Sequence, residues 1–93
     1  MAEPGPVRRR AVVSGRVQGV WYRDSARSEA ERLGLAGSAA NRPDGTVVLE
    51  VEGPPDAVDT FLAWAGEGPP RARVDDVTVT AIEPNGRPGF HVA

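Results

Sequence analysis

The chain has 93 residues, 40% hydrophobic and 26% charged, with a formal net charge of −2. That is one domain with one hydrophobic core, and too little positive field for nonspecific nucleic-acid binding. No cysteine and a single histidine, His91, exclude disulfides, thiolate chemistry, cysteine-based metal sites and a multi-histidine cluster, and disfavour a His-based triad. All eleven basic residues are arginine, a coding bias given no functional weight.

Met1 to Pro6 lacks the basic region and apolar run of a signal peptide and reads as a disordered tail ahead of a single domain over residues 7–93. No apolar run approaches the ~20 residues that span a membrane. No membrane partner is expected, and the cytoplasm is the default location. Val7 to Ser14 is expected as a strand, with Arg8, Arg10 and Val12 on one face and Val7, Ala11 and Val13 on the other. The run Arg8-Arg9-Arg10 reads as a solvated face, its stems lying over apolar neighbours; an interaction patch is the alternative.

From Tyr22 to Leu33 the pattern is helical. Tyr22, Ala26, Ala30 and Leu33 form one stripe, and Arg27 is placed to pair with Glu31. Gly34 suits the C′ position, with Leu35 closing a Schellman-type cap. A weak strand follows at Leu35–Asn41, then the turn Arg42-Pro43-Asp44-Gly45 and the clear strand Thr46–Glu52. A second helix runs from Pro55 or Asp56 to Ala65, with Val58, Phe61, Leu62 and Ala65 facing a sheet. Val74–Ile82 alternates, Val77, Val79 and Ala81 against Thr78, Thr80 and Ile82. A short last strand at Gly89–Val92 carries Phe90 as a core plug. Trp64 is expected as partial core, and Asp75-Asp76 as a solvated strand start.

The order βαββαβ, with a right-handed crossover in each half, predicts an α+β ferredoxin-like sandwich. Its sheet is expected to be antiparallel, with two helices on one face and a short extra C-terminal strand. The other sheet face must tolerate water, which its threonines, glutamates and arginines suit.

Function has to come from a site rather than from such a fold. The stretch Gly15-Arg16-Val17-Gln18-Gly19-Val20-Trp21-Tyr22-Arg23 forms a long, glycine-bearing connection into a helix N-terminus, a ready place for an anion. Arg23 falls in the helix's first turn, where the macrodipole disfavours a cation by roughly 0.3–1 kcal/mol. A bound phosphate accounts for it better than folding does. The spacing matches neither a Walker A loop nor a dinucleotide fingerprint, and a plain connecting loop stays open as the alternative. Asn41 has two readings: bonding its own turn backbone, or reaching that loop from the second strand, which runs antiparallel through the sheet. Trp21 either lines a substrate entrance or simply packs. Ser14 and Ser25 have no nearby base.

The segment Gly15 to Arg23 closely resembles the first signature of acylphosphatases, and Gly37-Ser38-Ala39-Ala40-Asn41-Arg42-Pro43-Asp44-Gly45-Thr46-Val47 resembles the second. Size and element order match as well, over nearly the whole chain. The resemblance implies hydrolysis of the carboxyl–phosphate bond of small-molecule acyl phosphates, with no metal, cofactor or phosphoenzyme. By motif match, Arg23 would hold the phosphoryl oxygens and Asn41 would orient the attacking water. Backbone amides of Gly15, Arg16, Val17, Gln18, Gly19 and Val20 would cradle the phosphate. A carboxylate leaves readily, so positioning and charge stabilisation suffice, and an arginine fork suits two phosphate oxygens.

Three departures stand out. Tyr22 replaces the usual phenylalanine, Ser38 a bulky residue, and Ala39-Ala40 a β-branched and basic pair; the last two are expected to loosen the strand carrying Asn41. The rival is a non-enzymatic phosphate-sensing module of the same fold. A domain serving a larger carbamoyl-phosphate enzyme is a variant, for which 93 residues leave no room. RNA binding lacks the exposed aromatic pair it needs. A monomer is the simplest assembly, and no residue separates 1,3-bisphosphoglycerate from carbamoyl or acetyl phosphate.

Overall fold

The computed structural model describes residues 5–93, and Met1 to Pro4 of the expected tail lie outside the described residues. The elements run β1 (Val7–Arg16), α1 (Tyr22–Arg32), β2 (Ala36–Asn41), β3 (Val47–Gly53), α2 (Pro55–Ala65), β4 (Arg73–Ile82) and β5 (Phe90–Val92). The helix ends follow from local chemistry. Pro55 opens α2 at a position where a missing N–H costs nothing. At the end of α1 the Leu35 amide donates to Ala30 and the Gly34 amide to Glu31, the two bonds of a Schellman motif.

The sheet order is β4-β1-β3-β2-β5. β1 is antiparallel to β3 and β4, and β2 is antiparallel to β3. β2 therefore runs parallel to β1, and the antiparallel sense expected of it holds only against β3. β5 pairs with β2 in parallel, Gly37 opposite Phe90. The sheet is thus mixed, not wholly antiparallel as expected. β4 ends where β2 begins, so a chain that crosses that end and turns back runs in the sense of β2.

One face carries the core. Ala11, Val13, Ala39, Val47, Leu49 and Val51 are buried against Tyr22, Ala26 and Ala30 of α1 and Val58, Phe61 and Ala65 of α2, with Phe90 closing one edge. Trp64 is half-buried, its ring 5.4 Å from Tyr22 and 5.8 Å from Phe61. Val79, grouped by the alternation with Val77 and Ala81, is exposed. β4 is an edge strand, and α2 packs chiefly on β1 and β3.

The opposite face is drier at one end than its composition suggests. Arg8 is buried, not solvated as expected; its guanidinium donates to Glu50 at 2.9 Å and Glu52 at 3.1 Å. The segment joining β4 to β5 covers it, and the amides of Asn85 and Gly86 donate to the Glu52 carboxylate at 2.8 and 2.9 Å. Burial alone would lower the Arg8 pKa, but hydrogen bonds to Glu50 and Glu52 leave it raised. The expected Arg27–Glu31 pair does not form: Arg27 faces Asp24 at 3.7 Å, one turn closer to the N-terminus. No helix is long and apolar enough to cross a membrane among the described residues.

Candidate active site

A bulge re-aims the end of β1. The register against β4 slips between Ser14, opposite Asp76, and Gly15, opposite Val74. A Cβ at Gly15 would stand 2.1 Å from the Arg73 carbonyl oxygen, so only glycine permits the approach. The chain then leaves the sheet through residues 17–21. Val17 and Val20 sink their side chains into the core, and Gly19 between them takes φ +73°. Two apolar plugs thus hold a loop whose backbone amides are unspent. Among the described residues, no backbone carbonyl accepts a hydrogen bond from the amides of residues 17–21.

The start of α1 is equally bare. Its cap position is Trp21, which makes no side-chain capping bond, so the first helical amides keep their free donors. Trp21 sits at φ 66°, ψ 21°, the one non-glycine residue with positive φ among those described. Such a conformation costs about 1 to 3 kcal/mol and persists only where its surroundings impose it. Tyr22, next along, is buried, and its hydroxyl donates to the Ala65 carbonyl at 2.6 Å, tying α1 to the end of α2. Burial pushes the Tyr22 pKa up.

Asn41 ends β2. It lies opposite Val47, which lies opposite Val13 of β1. Because β1 and β2 run parallel, Asn41 stands at the end of the sheet where the loop leaves β1. The turn does not recruit it. Asp44 Oδ1 instead accepts the Thr46 amide at 3.0 Å and the Thr46 hydroxyl at 2.6 Å, bonds that hold the Asp44 carboxyl below the usual carboxylate range.

Arg23 and Asn41 line one pocket of about 250 Å³, together with Val17, Gly19, Trp21, Tyr22 and Asp24. The Arg23 guanidinium donates to the main-chain oxygen of Ala93. Of the other residues expected at the anion loop, Gly15 and Arg16 stay paired with β4 as the last residues of β1, and Val20 is buried. Gln18 turns its side chain to the hairpin, its Nε2 donating to the Arg42 carbonyl at 2.7 Å and the Thr46 carbonyl at 2.9 Å. Sequence reasoning missed that bridge and the Tyr22–Ala65 bond. Both join residues far apart in the chain with no spacing rule to pair them. Among the described residues, no cluster of three His, Asp or Glu side chains is placed to hold a metal ion.

The split βαββαβ sheet, with one polar pocket at the carboxyl ends of β1 and β2, defines a ferredoxin-like domain with its site at the first crossover. Comparison narrows the class. The family model described as Acylphosphatase matches residues 9–92. A curated acylphosphatase of Anaeromyxobacter dehalogenans (strain 2CP-C) is 54% identical over 80 residues, covering 86% of each chain. The crystal structure of the Bacillus subtilis acylphosphatase superposes with a TM-score of 0.91 at 36% identity, over 94% of this chain and 98% of that one. An acylphosphatase structure from Coxiella burnetii gives 0.92 at 36% identity, over 96% and 94%. The chain therefore belongs to the acylphosphatase family, and by that membership is a hydrolase.

Proposed function

We propose that this acylphosphatase cleaves small acyl phosphates by direct attack of water on phosphorus, using Arg23, Asn41 and the loop amides alone. The Arg23 fork and the amides of residues 17–20 hold the phosphoryl oxygens, and Gly15 and Arg16 shape the bend that presents them. Asn41, across the pocket, orients the water. The oxygen–phosphorus bond to the carboxylate breaks as the water oxygen bonds to phosphorus. The carboxylate departs with the electron pair, and the protons of the water pass to the phosphate. Fixed amide dipoles meet charge on the transferring group without reorganising, and the Arg23 guanidinium, which donates to the main-chain oxygen of Ala93, adds its charge to theirs. No metal, cofactor or phosphoenzyme takes part. The same reading has a cytoplasmic monomer acting through one domain over residues 7–93.

One observation carries the proposal: Arg23 and Asn41, from different elements, line the same pocket as Val17 and Gly19, beside amides that no backbone carbonyl among the described residues satisfies. The test is hydrolysis of benzoyl phosphate in ¹⁸O-water, with and without chelator. Turnover insensitive to chelator, with the label in phosphate, is expected. Label in benzoate overturns attack at phosphorus. Tight phosphate binding without turnover makes the domain a sensor.

A further inference from the structure

We propose that Trp21 is the specificity-determining residue for the acyl group, and that it biases this enzyme toward acyl phosphates with aromatic or extended apolar acyl groups. The inference rests on the phosphoryl end being bound as proposed above, and extends it to the other half of the substrate.

Two features of Trp21 bring folding nothing. Its backbone is held at φ 66°, which favours glycine, and the residue is 71% exposed. The neighbours explain how that geometry is imposed. Val20 on one side and Tyr22 on the other are both buried, at 3% and 1% exposure, so the residue between them is driven outward. Trp21 then lines the pocket with Arg23 and Asn41. The other large apolar side chains of that wall, Val17 and Tyr22, are each 1% exposed and offer a ligand almost no surface. Trp21 is therefore the apolar surface an incoming molecule meets.

An acyl phosphate has one charged end and one acyl end. With the phosphoryl group at Arg23 and the amides, the acyl group is left the rest of the lining, where Trp21 stands beside the polar side chains of Asp24 and Asn41 as the exposed apolar residue. A flat ring offers an aromatic acyl group an offset or edge-on contact, whereas a methyl or amino group covers little of it. The contact is the same before and during bond cleavage, so it acts on KM rather than kcat.

The test compares wild type with Trp21→Gly, whose backbone accepts positive φ, and Trp21→Phe, which keeps a ring. Trp21→Gly is expected to raise KM for benzoyl phosphate about tenfold, with KM for acetyl phosphate changed less than about twofold. Trp21→Phe is expected to recover most of the loss. Equal losses on both substrates, or none on either, overturn the proposal. Benzylphosphonate and methylphosphonate binding to the same three proteins reads the acyl contact without chemistry. Selective weakening of benzylphosphonate upholds it and parallel behaviour overturns it, even if wild type hydrolyses neither acyl phosphate, a result that would count against the catalytic reading alone.

Discussion

Gln18 donates its side-chain amide to the Arg42 carbonyl at 2.7 Å, joining the loop after β1 to the turn after β2. A second bond from the same nitrogen reaches Thr46 at 2.9 Å. Asn41 directly precedes that turn, so its distance from the loop is set by Gln18 rather than by either strand alone. Gln18→Leu removes both bonds and leaves two carbonyls without this donor. Stability is expected to fall by about 1 to 2 kcal/mol, and kcat by roughly 10- to 100-fold through misplacement of Asn41. Phosphate affinity should change far less. Denaturant melts, turnover and phosphate titration of the variant check the three parts together.

Asn41 and Arg23 share a pocket but are assigned different tasks, and substitution should separate them. Asn41→Ala is expected to slow hydrolysis by roughly 2.7–4 kcal/mol of barrier, the size of a lost oxyanion donor, while inorganic phosphate still binds. Arg23→Lys keeps the charge but loses the planar fork, and should weaken phosphate binding and turnover together. Wild-type phosphate affinity in Arg23→Lys would remove its assigned role.

Tyr22, which departs from the phenylalanine usual in the resembling motif, has a structural reason to do so. Its buried hydroxyl donates to the Ala65 carbonyl at the end of α2. Tyr22→Phe keeps the ring against Trp64 and strips that carbonyl of its donor, so a loss of about 1 kcal/mol is expected. Urea unfolding measures it. No effect on KM should accompany the loss, since Tyr22 is 1% exposed and offers its pocket neighbours little surface.

What could be read in advance was periodic or punctuated. The stripe Tyr22, Ala26, Ala30 and the alternation of Val47, Leu49 and Val51 name the buried faces because each repeats with its element. Pro55 and Gly34 mark helix ends through backbone chemistry of their own. Arg23 was legible because a cation in a first turn opposes the dipole. The burial of Arg8 was not, because it depends on a segment more than seventy residues away folding across the sheet. The small residues of β2 also read as weakness in isolation. In the sheet they are paired on both sides, by β3 along the whole strand and by β5 from Gly37 to Ala39, and Ala39 is fully buried. Pairing supplies what propensity lacks.

The Arg8 cluster makes stability depend on acid. Hydrogen bonds from the Asn85 and Gly86 amides and from Arg8 hold the Glu52 carboxyl below the usual glutamate range, and hydrogen bonds from Arg8 and Arg10 do the same for Glu50. Each carboxyl takes up protons less readily folded than unfolded. Its contribution is therefore complete above the unfolded value of about 4.3 and is lost as pH falls through the lower folded value. Glu52→Gln cannot titrate and leaves Arg8 with Glu50 as its carboxylate partner. The variant should be less stable than wild type by about 2 kcal/mol near neutral pH, the scale of hydrogen bonds to a charged group. The gap should close as pH falls below the glutamate range, because wild type loses there what the variant never had. Urea denaturation at a series of pH values measures the gap. A difference that stays constant from neutral pH into acid would mean that Glu52 contributes shape rather than charge, and that the strap over Arg8 is held by packing.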